Sequence, residues 1–226
     1  MKMQKRQVAD LDFTPAAGHH WLTPFYDFGL AVLTRERRWR DALIAQMQPA
    51  GADVIADFGC GTGSLLVKIA LAQPSATLIG IDPDPTVLAL AKAKLARAGA
   101  NAELLQGFGR DANRMLSKRS VTKIVSSLVF HQVSMAEKSA ALAAGYTAMS
   151  SGGELHIADY GLQRTPLMRG LFRATVQKLD GFENTQPQAD GVLPELILAA
   201  GFSEVEETQV IQTPSGSISL IRANRR

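Results

Sequence analysis

Short apolar runs of strand length alternate with helical segments along most of this chain, and this alternation constrains the fold more than any other feature. Segments with the 3.6-residue period of helices separate the first five runs. Strands that alternate with helices predict an α/β domain, with a mostly parallel sheet covered on both faces. The last two runs are joined only by TPSG, which predicts a hairpin and hence an antiparallel strand at the sheet edge. The seven predicted strands are DVIADF (53–58), TLIGID (77–82), AELLQ (102–106), KIVSSLVF (123–130), ELHIAD (154–159), 203–210 and 217–222.

Length and composition favour one α/β domain and exclude several classes of protein. The chain has 226 residues, of which 46% are hydrophobic, enough to bury a full core. Its formal net charge is +3, and the basic runs fit solvated helix faces better than a nucleic-acid interface. The single cysteine, Cys60, excludes an intrachain disulfide framework and a multi-cysteine metal site. Without an 18-residue apolar run or a signal-peptide core, the expected location is cytoplasmic.

The stretch FGCGTGS, at the end of the first predicted strand, sets Gly59, Gly61 and Gly63 where a ligand or another backbone must come close. Ligands of parallel sheets bind beyond the carboxyl ends of the strands. A dinucleotide fingerprint that starts at Gly59 needs its third glycine at position 64, where this chain has a serine. Asp57, just before the glycines, would repel a pyrophosphate but attract an ammonium group. A tight turn without a ligand is the simpler alternative, but the acid favours a cationic nucleoside.

Asp82 ends the second predicted strand and is followed by Pro83 in IGIDPDP. A carboxylate at this position accepts hydrogen bonds from both hydroxyls of a ribose, and the proline ends the strand so that the chain turns past an adenosine. Such an acid fits both NAD and S-adenosylmethionine. Its alternative role is that of an acid at a helix N-terminus, shared with Asp84.

Four segments together resemble the motifs of class I S-adenosylmethionine-dependent methyltransferases, in the family's order and spacing: DFGCGTGS, IGIDPDP, SSLVFHQV and SGGELHIADYG. The resemblance covers roughly residues 20–223. It is greatest to the small-molecule branch around the ubiquinone and menaquinone C-methyltransferases, because FYDFGLAVL and DGFENTQPQADGVLPELILAAGF also have the features of that group. It implies a Rossmann-like, seven-stranded, mostly parallel sheet with an antiparallel edge strand, helices on both faces and S-adenosylmethionine as cofactor.

The resemblance also implies a division of the chain. One methyltransferase domain is expected over residues 1–226, with a helical lid at 1–48 and a cofactor-binding core at 49–160. Residues 161–226 are then the substrate-side helices and the C-terminal hairpin.

The resemblance further implies which residues hold the cofactor. Asp57 and the glycine turn hold its methionine part, Asp82 holds the ribose, and Ser127 lies where the fourth strand meets the sulfonium. The third strand departs from the family's acidic motif, so Gly107 and Phe108 are assigned to the adenine and Asp111 is left open. The family's FD pair is replaced by Val121 and Thr122. The implied cofactor-binding set is Tyr26, Asp57, Gly59, Cys60, Gly61, Gly63, Asp82, Pro83, Gly107, Phe108 and Ser127.

His131 follows the fourth predicted strand in VFHQV and is the predicted catalytic residue. A neutral imidazole there could deprotonate a phenol or an activated carbon acid near pH 7. The alternative is a structural histidine bonded to a nearby carbonyl. His19 and His20 lie near the predicted lid, where solvent exposure is the simpler interpretation, and His156 in an alternating strand is interpreted as structural. No metal is expected, because displacement at a sulfonium needs mainly alignment and a desolvated pocket.

The acceptor is predicted to be a small molecule methylated on oxygen, nitrogen or carbon, with an aromatic or quinone-like compound as one option. The chain lacks the [DNS]PP[YF] sequence of exocyclic base-amine methyltransferases, and its lone cysteine lies in the glycine turn, so a nucleic-acid acceptor is disfavoured. The predicted helix 24–47 and the stretch 165–190 would enclose the acceptor. The stretch carries apolar residues that fit a core equally well, and acids that fit a solvated loop: Met168, Phe172, Phe182, Asp180, Glu183 and Asp190.

Two other functions remain open from the residues. One is a nicotinamide-dependent reductase on the same kind of sheet, and the other is a catalytically inactive S-adenosylmethionine-binding partner protein. Peripheral membrane contact through RERRWR (35–40), with Trp39 on the helix, is a further option beside a solvated helix face.

Overall fold

A computed structural model describes residues 34–226 of the chain, which form a seven-stranded sheet flanked by helices. The strands are β1 (Val54–Phe58), β2 (Thr77–Asp82), β3 (Glu103–Gln106), β4 (Val121–Ser127), β5 (Met149–Tyr160), β6 (Ser203–Thr213) and β7 (Gly216–Asn224). Their order across the sheet is β3-β2-β1-β4-β5-β7-β6. The first five strands pair in parallel, whereas β7 is antiparallel to both β5 and β6. The predicted Rossmann-like sheet and its antiparallel hairpin are confirmed; the reversed strand β7 lies one position inside the edge, which β6 forms.

Helices cover both faces of this sheet. They are α1 (Glu36–Met47), α2 (Ser64–Ala72), α3 (Pro85–Arg97), α4 (Ala112–Met115), α5 (Met135–Ala148), α6 (Pro166–Ala174), α7 (Val176–Asp180), α8 (Phe182–Ala189) and α9 (Leu193–Ala199). Successive residues of a strand point to opposite faces, so Ile55 and Ala56 of β1 belong to two separate cores. Helices α1, α2 and α3 pack on the first core with α6, α7 and α8, and helices α4, α5 and α9 pack on the second.

Two helix starts follow the sequence signals for capping. Asp84 caps α3, where its Oδ1 accepts a hydrogen bond of 2.7 Å from the Thr86 amide, and Pro85 occupies the first helical position. Ser134 caps α5, where its hydroxyl accepts from the Glu137 amide at 3.3 Å, as the sequence SMAE predicts. Both caps direct the helices that follow the carboxyl ends of β2 and β4.

Several predicted strand boundaries differ from the structure, and two of them lie near the carboxyl edge of the parallel strands. The fourth strand ends at Ser127 instead of continuing to residue 130, because Leu128 takes a left-handed backbone with φ 55°. The chain then forms a short 3-10 turn, Phe130–Gln132. The fifth strand is longer than predicted and continues to Tyr160.

Several predictions fall on residues 1–33, outside the described part of the chain. These are Tyr26, His19, His20, the segment FYDFGLAVL and the first part of the predicted helix 24–47. Among residues 34–226, no helix has both the length and the apolar composition needed to cross a membrane.

Candidate active site

The glycine turn connects β1 to α2 at the carboxyl edge of the sheet. The amides of Gly59 and Cys60 both donate to the Ile81 carbonyl of the neighbouring strand, at 2.8 and 3.1 Å. Gly59 has φ 71°, and a Cβ built on it would lie 2.3 Å from a methyl of Val129. Gly61 also has a left-handed backbone, with φ 51°, but a Cβ there would meet nothing within 4 Å. The first glycine is therefore required by packing, whereas open space lies beside the second.

Gly63 and Cys60 of the same turn pack closely against the rest of the fold. A Cβ on Gly63 would lie 3.0 Å from that of Ala91, so this glycine allows α2 to approach α3. Cys60 is buried, and burial raises the pKa of its thiol, with smaller contributions from Asp57 and Asp82. A thiol in this state is unreactive.

Asp57 is a buried carboxyl group on β1, only 1% exposed. Neither of its oxygens has a hydrogen-bond partner among residues 34–226. Burial raises its pKa to about 8, although the positive charge of Arg40 opposes this rise; the nearby Asp82 adds to it. A buried acid without a partner costs stability unless a ligand supplies a donor or a cation. Asp57 thus fits the ammonium group that the sequence predicted beside the glycines.

Asp82 ends β2 next to the glycine turn. Its Oδ2 accepts a hydrogen bond of 2.9 Å from the Gly61 amide, and its Oδ1 accepts one of 3.0 Å from the Asp84 amide. Burial raises its pKa, while these two backbone donors lower it. Each carboxylate oxygen has a second lone pair, so the oriented group can still accept from two hydroxyls. Pro83 follows at the turn, and its carbonyl accepts from the Gln106 side chain at 3.3 Å.

The predicted adenine-side residues lie beside this strand end. The Gly107 amide donates to the Asp82 carbonyl at 3.1 Å, which brings the end of β3 to the end of β2. Phe108 follows, and the guanidinium of Arg110 lies 4.1 Å from the centre of its ring. Asp111, left open by the sequence, turns its Oδ2 towards the Phe108 amide at 3.4 Å and stabilises the 3-10 turn Gly109–Asp111.

His131 lies on the 3-10 turn after β4, four residues beyond the half-buried Ser127. Its Nδ1 is 2.7 Å from Asp159 Oδ1, and its Nε2 is 3.4 Å from Asp180 Oδ2. The edge of its ring meets Tyr160, with the centroids 5.0 Å apart. Burial opposes the charge on the imidazole, but the two carboxylates outweigh burial and raise the pKa of His131 to about 9. The two carboxylates thus favour an imidazolium over the neutral imidazole that the sequence predicted near pH 7, and the catalytic role of His131 stays a prediction.

Asp159, the residue that sequence reasoning missed, organises this part of the site. It is 1% exposed at the end of β5, and its Oδ2 accepts from the amides of Val129 and Phe130 at 2.9 and 2.7 Å. Its Oδ1 accepts from the Tyr160 amide at 2.7 Å and pairs with His131. The sequence held one signal for it, since Asp159, like Asp57 and Asp82, lies at or next to the carboxyl end of a buried strand.

The structure assigns the remaining predicted residues to other roles. His156 is buried in β5, accepts from the Gln46 amide at 3.1 Å, and has a pKa that burial lowers to about 4, so its structural interpretation holds. Trp39 is 1% exposed, so the indole of RERRWR packs in the core and is not available to a membrane surface. Met168 and Phe172 are also core residues.

The acids of the stretch 165–190 differ in their surroundings. Asp190 pairs with Arg169 at 2.8 Å and Glu183 is exposed, as expected of solvated acids. Asp180 is the exception, because it contacts His131. Phe182, next to that contact, is 56% exposed.

Known proteins are similar to this chain in sequence and in fold. The family described as "Methyltransferase domain" matches residues 55–153. The ubiquinone/menaquinone biosynthesis C-methyltransferase UbiE of Syntrophotalea carbinolica is 29% identical over 154 residues, which cover 67% of this chain and 63% of that protein. The chain thus aligns with less than two thirds of the length of this relative.

Solved structures show the same architecture. An S-adenosylmethionine-dependent methyltransferase from Thermotoga maritima has a TM-score of 0.67 at 18% identity, over 91% of this chain and 97% of that one. An O-methyltransferase family protein from Burkholderia thailandensis has a TM-score of 0.68 at 17% identity, over 92% of this chain and 60% of that one. Together with the sheet order, the glycine turn and the acids near the ends of β1 and β2, these similarities support a class I S-adenosylmethionine-dependent methyltransferase with S-adenosylmethionine as its cofactor.

Proposed function

We propose that this protein transfers the methyl group of S-adenosylmethionine to a small-molecule acceptor. The observation that carries the proposal is the buried carboxyl group of Asp57, which has no partner among the described residues. It lies beside a turn with open space at Gly61 and next to the oriented carboxylate of Asp82. This set offers one cation site and one ribose site at the same edge of the sheet.

Each residue of the set has a role that its surroundings support. Asp57 would hold the ammonium group, Asp82 the ribose hydroxyls, and the backbone from Gly59 to Gly63 the methionine part. Gly107 and Phe108 would border the adenine, and Ser127 would lie near the sulfonium; Tyr26 remains a prediction outside the described residues. When bound, the cofactor supplies an electrophilic methyl group on a positively charged sulfur. The chain's own contribution is then to align the acceptor and to exclude water.

A nicotinamide-dependent reductase fits this site less well. Its pyrophosphate would approach the glycine turn, where an anion would further oppose the ionisation of the buried Asp57 and would give this acid no cationic partner. The similarity to methyltransferases points the same way. A catalytically inactive binding protein would keep the same cofactor contacts, so only product formation separates it from an enzyme.

The acceptor class is the finer part of the proposal. UbiE, by its name, is a C-methyltransferase of ubiquinone and menaquinone biosynthesis, which supports a small and partly apolar acceptor. The exposed Phe182 near the His131 contact is compatible with such a compound.

The cofactor contacts are tested by calorimetric titration with S-adenosylmethionine, S-adenosylhomocysteine and NADH. We expect both sulfur nucleosides to bind and Asp82→Ala to weaken them by at least about tenfold, a loss of about 1.4 kcal/mol. Asp84→Ala is the matched control, since Asp84 caps α3 and is not assigned to the ribose. Binding of NADH alone would refute the proposal.

Asp57 adds a proton signature to the same titration. With a pKa of about 8, the acid is mostly protonated near neutral pH, whereas an ammonium ligand favours its ionised form. Binding at about pH 6.5 should therefore release a proton, and affinity should rise with pH towards 8. Heats measured in buffers of different ionisation enthalpy give the proton count. Asp57→Asn should release no proton from this position; equal release by both proteins would exclude Asp57 from the ammonium site.

A further inference from the structure

His131 lies between two carboxylates that it contacts through its two different ring nitrogens. Nδ1 faces Asp159 Oδ1 at 2.7 Å, and Nε2 faces Asp180 Oδ2 at 3.4 Å. An ionised carboxylate only accepts hydrogen bonds, so Nδ1 donates to Asp159, while Nε2 faces the Asp180 carboxylate in a longer ion-pair contact. The positively charged imidazolium matches this arrangement, and in this form His131 has no free lone pair with which to remove a proton from an acceptor.

The two carboxylates differ in how firmly they are held. Asp159 is fully enclosed and accepts from three backbone amides besides His131. The Asp180 side chain is 24% exposed, and its contact with a described residue is the 3.4 Å ion pair with His131. It ends α7, directly before Gly181 with φ 84°. Asp159 is therefore firmly held by the backbone, whereas Asp180 is the more exposed and less firmly held of the two carboxylates.

The segment that carries Asp180 is attached to the His131 turn by neighbouring contacts. The side-chain amide of Asn184, on α8, donates to the Gln132 carbonyl at 3.1 Å. Lys138 Nζ donates to the backbone carbonyl of Asn184 at 2.9 Å and also to that of Val133. The residues on either side of Asp180–Gly181 are apolar and exposed: Leu179 at 72% and Phe182 at 56%. An anionic group with an apolar body matches this combination of one N–H donor and exposed apolar side chains.

We propose that the acceptor is an acidic hydroxyl compound, such as a phenol or an enol, which binds as its oxyanion on the Nε2–H of His131 in place of the Asp180 carboxylate. This inference rests on the proposed function and makes Asp180 a specificity-determining residue. In the transfer, an oxygen–carbon bond forms as the carbon–sulfur bond breaks, and the electron pair of the latter stays on sulfur. The acceptor anion becomes a neutral ether, so no proton moves and His131 pairs again with Asp180.

The charges around His131 keep it in the required state at neutral pH. It is faced by Asp159 and the Tyr160 ring from β5 and by Asp180 from α7, while Lys138 of α5 interacts electrostatically with Asp159. The two carboxylates raise the pKa of His131 to about 9 against the opposing effect of burial. The imidazolium is therefore present below about pH 9 and is lost as the pH rises further.

The test is nitrogen NMR of the histidine rings in the full chain, with no cofactor added. At pH 7 we expect His131 to give an imidazolium signal and His156 a neutral imidazole signal, which serves as an internal control. Benzoate is the oxyanion probe and benzamide its neutral counterpart. Benzoate should shift the Nε2 signal of His131, and it should do so at an at least about tenfold lower concentration in Asp180→Asn, which removes the competing carboxylate.

Asp190→Asn is the matched control, because Asp190 is an exposed acid of the same segment and pairs with Arg169 instead. It should leave the benzoate titration unchanged. A neutral His131 at pH 7 would overturn the inference. So would an equal effect of benzamide, or no benzoate response in Asp180→Asn. Because this measurement needs no methyl donor, its failure is distinguishable from a failure to bind S-adenosylmethionine.

Discussion

Two buried acids end neighbouring regions of the same sheet edge and are in opposite states. Asp57 near the end of β1 and Asp159 at the end of β5 are each 1% exposed. Asp159 accepts hydrogen bonds from three amides and from His131. Asp57 has no hydrogen-bond partner within residues 34–226, and burial raises its pKa to about 8.

This difference separates a residue that maintains the fold from one that awaits a ligand. A buried charge is stable only with partners, and Asp159 has them within the chain. Asp57 has none among the described residues, so its burial has a cost that a cationic ligand would offset. The end of β5 is thus complete within the described chain, whereas we propose that the cofactor completes the end of β1.

The largest expected effect is that of Asp159→Asn. It removes the charge opposite a buried imidazolium and disturbs the amides of Val129 and Phe130, so we expect a loss of about 3–5 kcal/mol in the free energy of unfolding. Because His131 has a raised pKa in the folded state, its pair with Asp159 stabilises most below about pH 6.5 and loses its effect as the pH rises through about 9. Urea unfolding of the wild type and the variant at pH 6 and at pH 9.5 measures the size of the loss and its dependence on pH. A loss no larger at pH 6 than at pH 9.5 would contradict the pairing.

Asp57→Asn should have the opposite dependence on pH. The folded-state pKa of Asp57 lies above its ordinary value, so in the wild type stability is highest in acid and falls as the pH rises from about 4 to 8. The variant lacks this decline. Between pH 5 and pH 8, the difference in the free energy of unfolding between the two proteins should therefore change by roughly 2–4 kcal/mol in favour of the variant. Unfolding curves of the free protein at both pH values give the result. Parallel pH profiles would mean that Asp57 already has a partner.

The smallest effect distinguishes two glycines of one turn. Gly59→Ala should lower stability by about 2–3 kcal/mol, because its Cβ would meet Val129 at 2.3 Å. Gly61→Ala should cost only about 1–2 kcal/mol from its left-handed backbone, since its Cβ would meet nothing within 4 Å. S-adenosylhomocysteine binding, however, should be weakened in the folded Gly61→Ala protein by the added methyl group. Equal binding by wild type and Gly61→Ala would mean that the ligand does not use this space.

Much of this fold follows from local sequence signals. The strand TLIGID begins and ends as predicted at Thr77 and Asp82, and the helix after it begins at Pro85. Side-chain period, caps and glycines act over a few residues, so a single sequence contains them. The predicted end of β4 was wrong because it depends on a contact between distant residues. The apolar run continues to Phe130, but the left-handed backbone of Leu128 ends the strand. The Leu128 amide donates to the Ala158 carbonyl of β5, a contact between residues distant in the chain.

The sequence by itself determined the alternating α/β order, the glycine turn and the acids beside it, because these are local patterns. It also indicated His131, but as a neutral base. Only the tertiary structure decided the charge of that histidine, since Asp159 and Asp180 reach it from positions 28 and 49 residues further along the chain. It alone also showed that Asp159 has hydrogen-bond donors around it and that Asp57 has none among the described residues. The protonation of a buried carboxyl group depends on which donors other strands and turns bring to it.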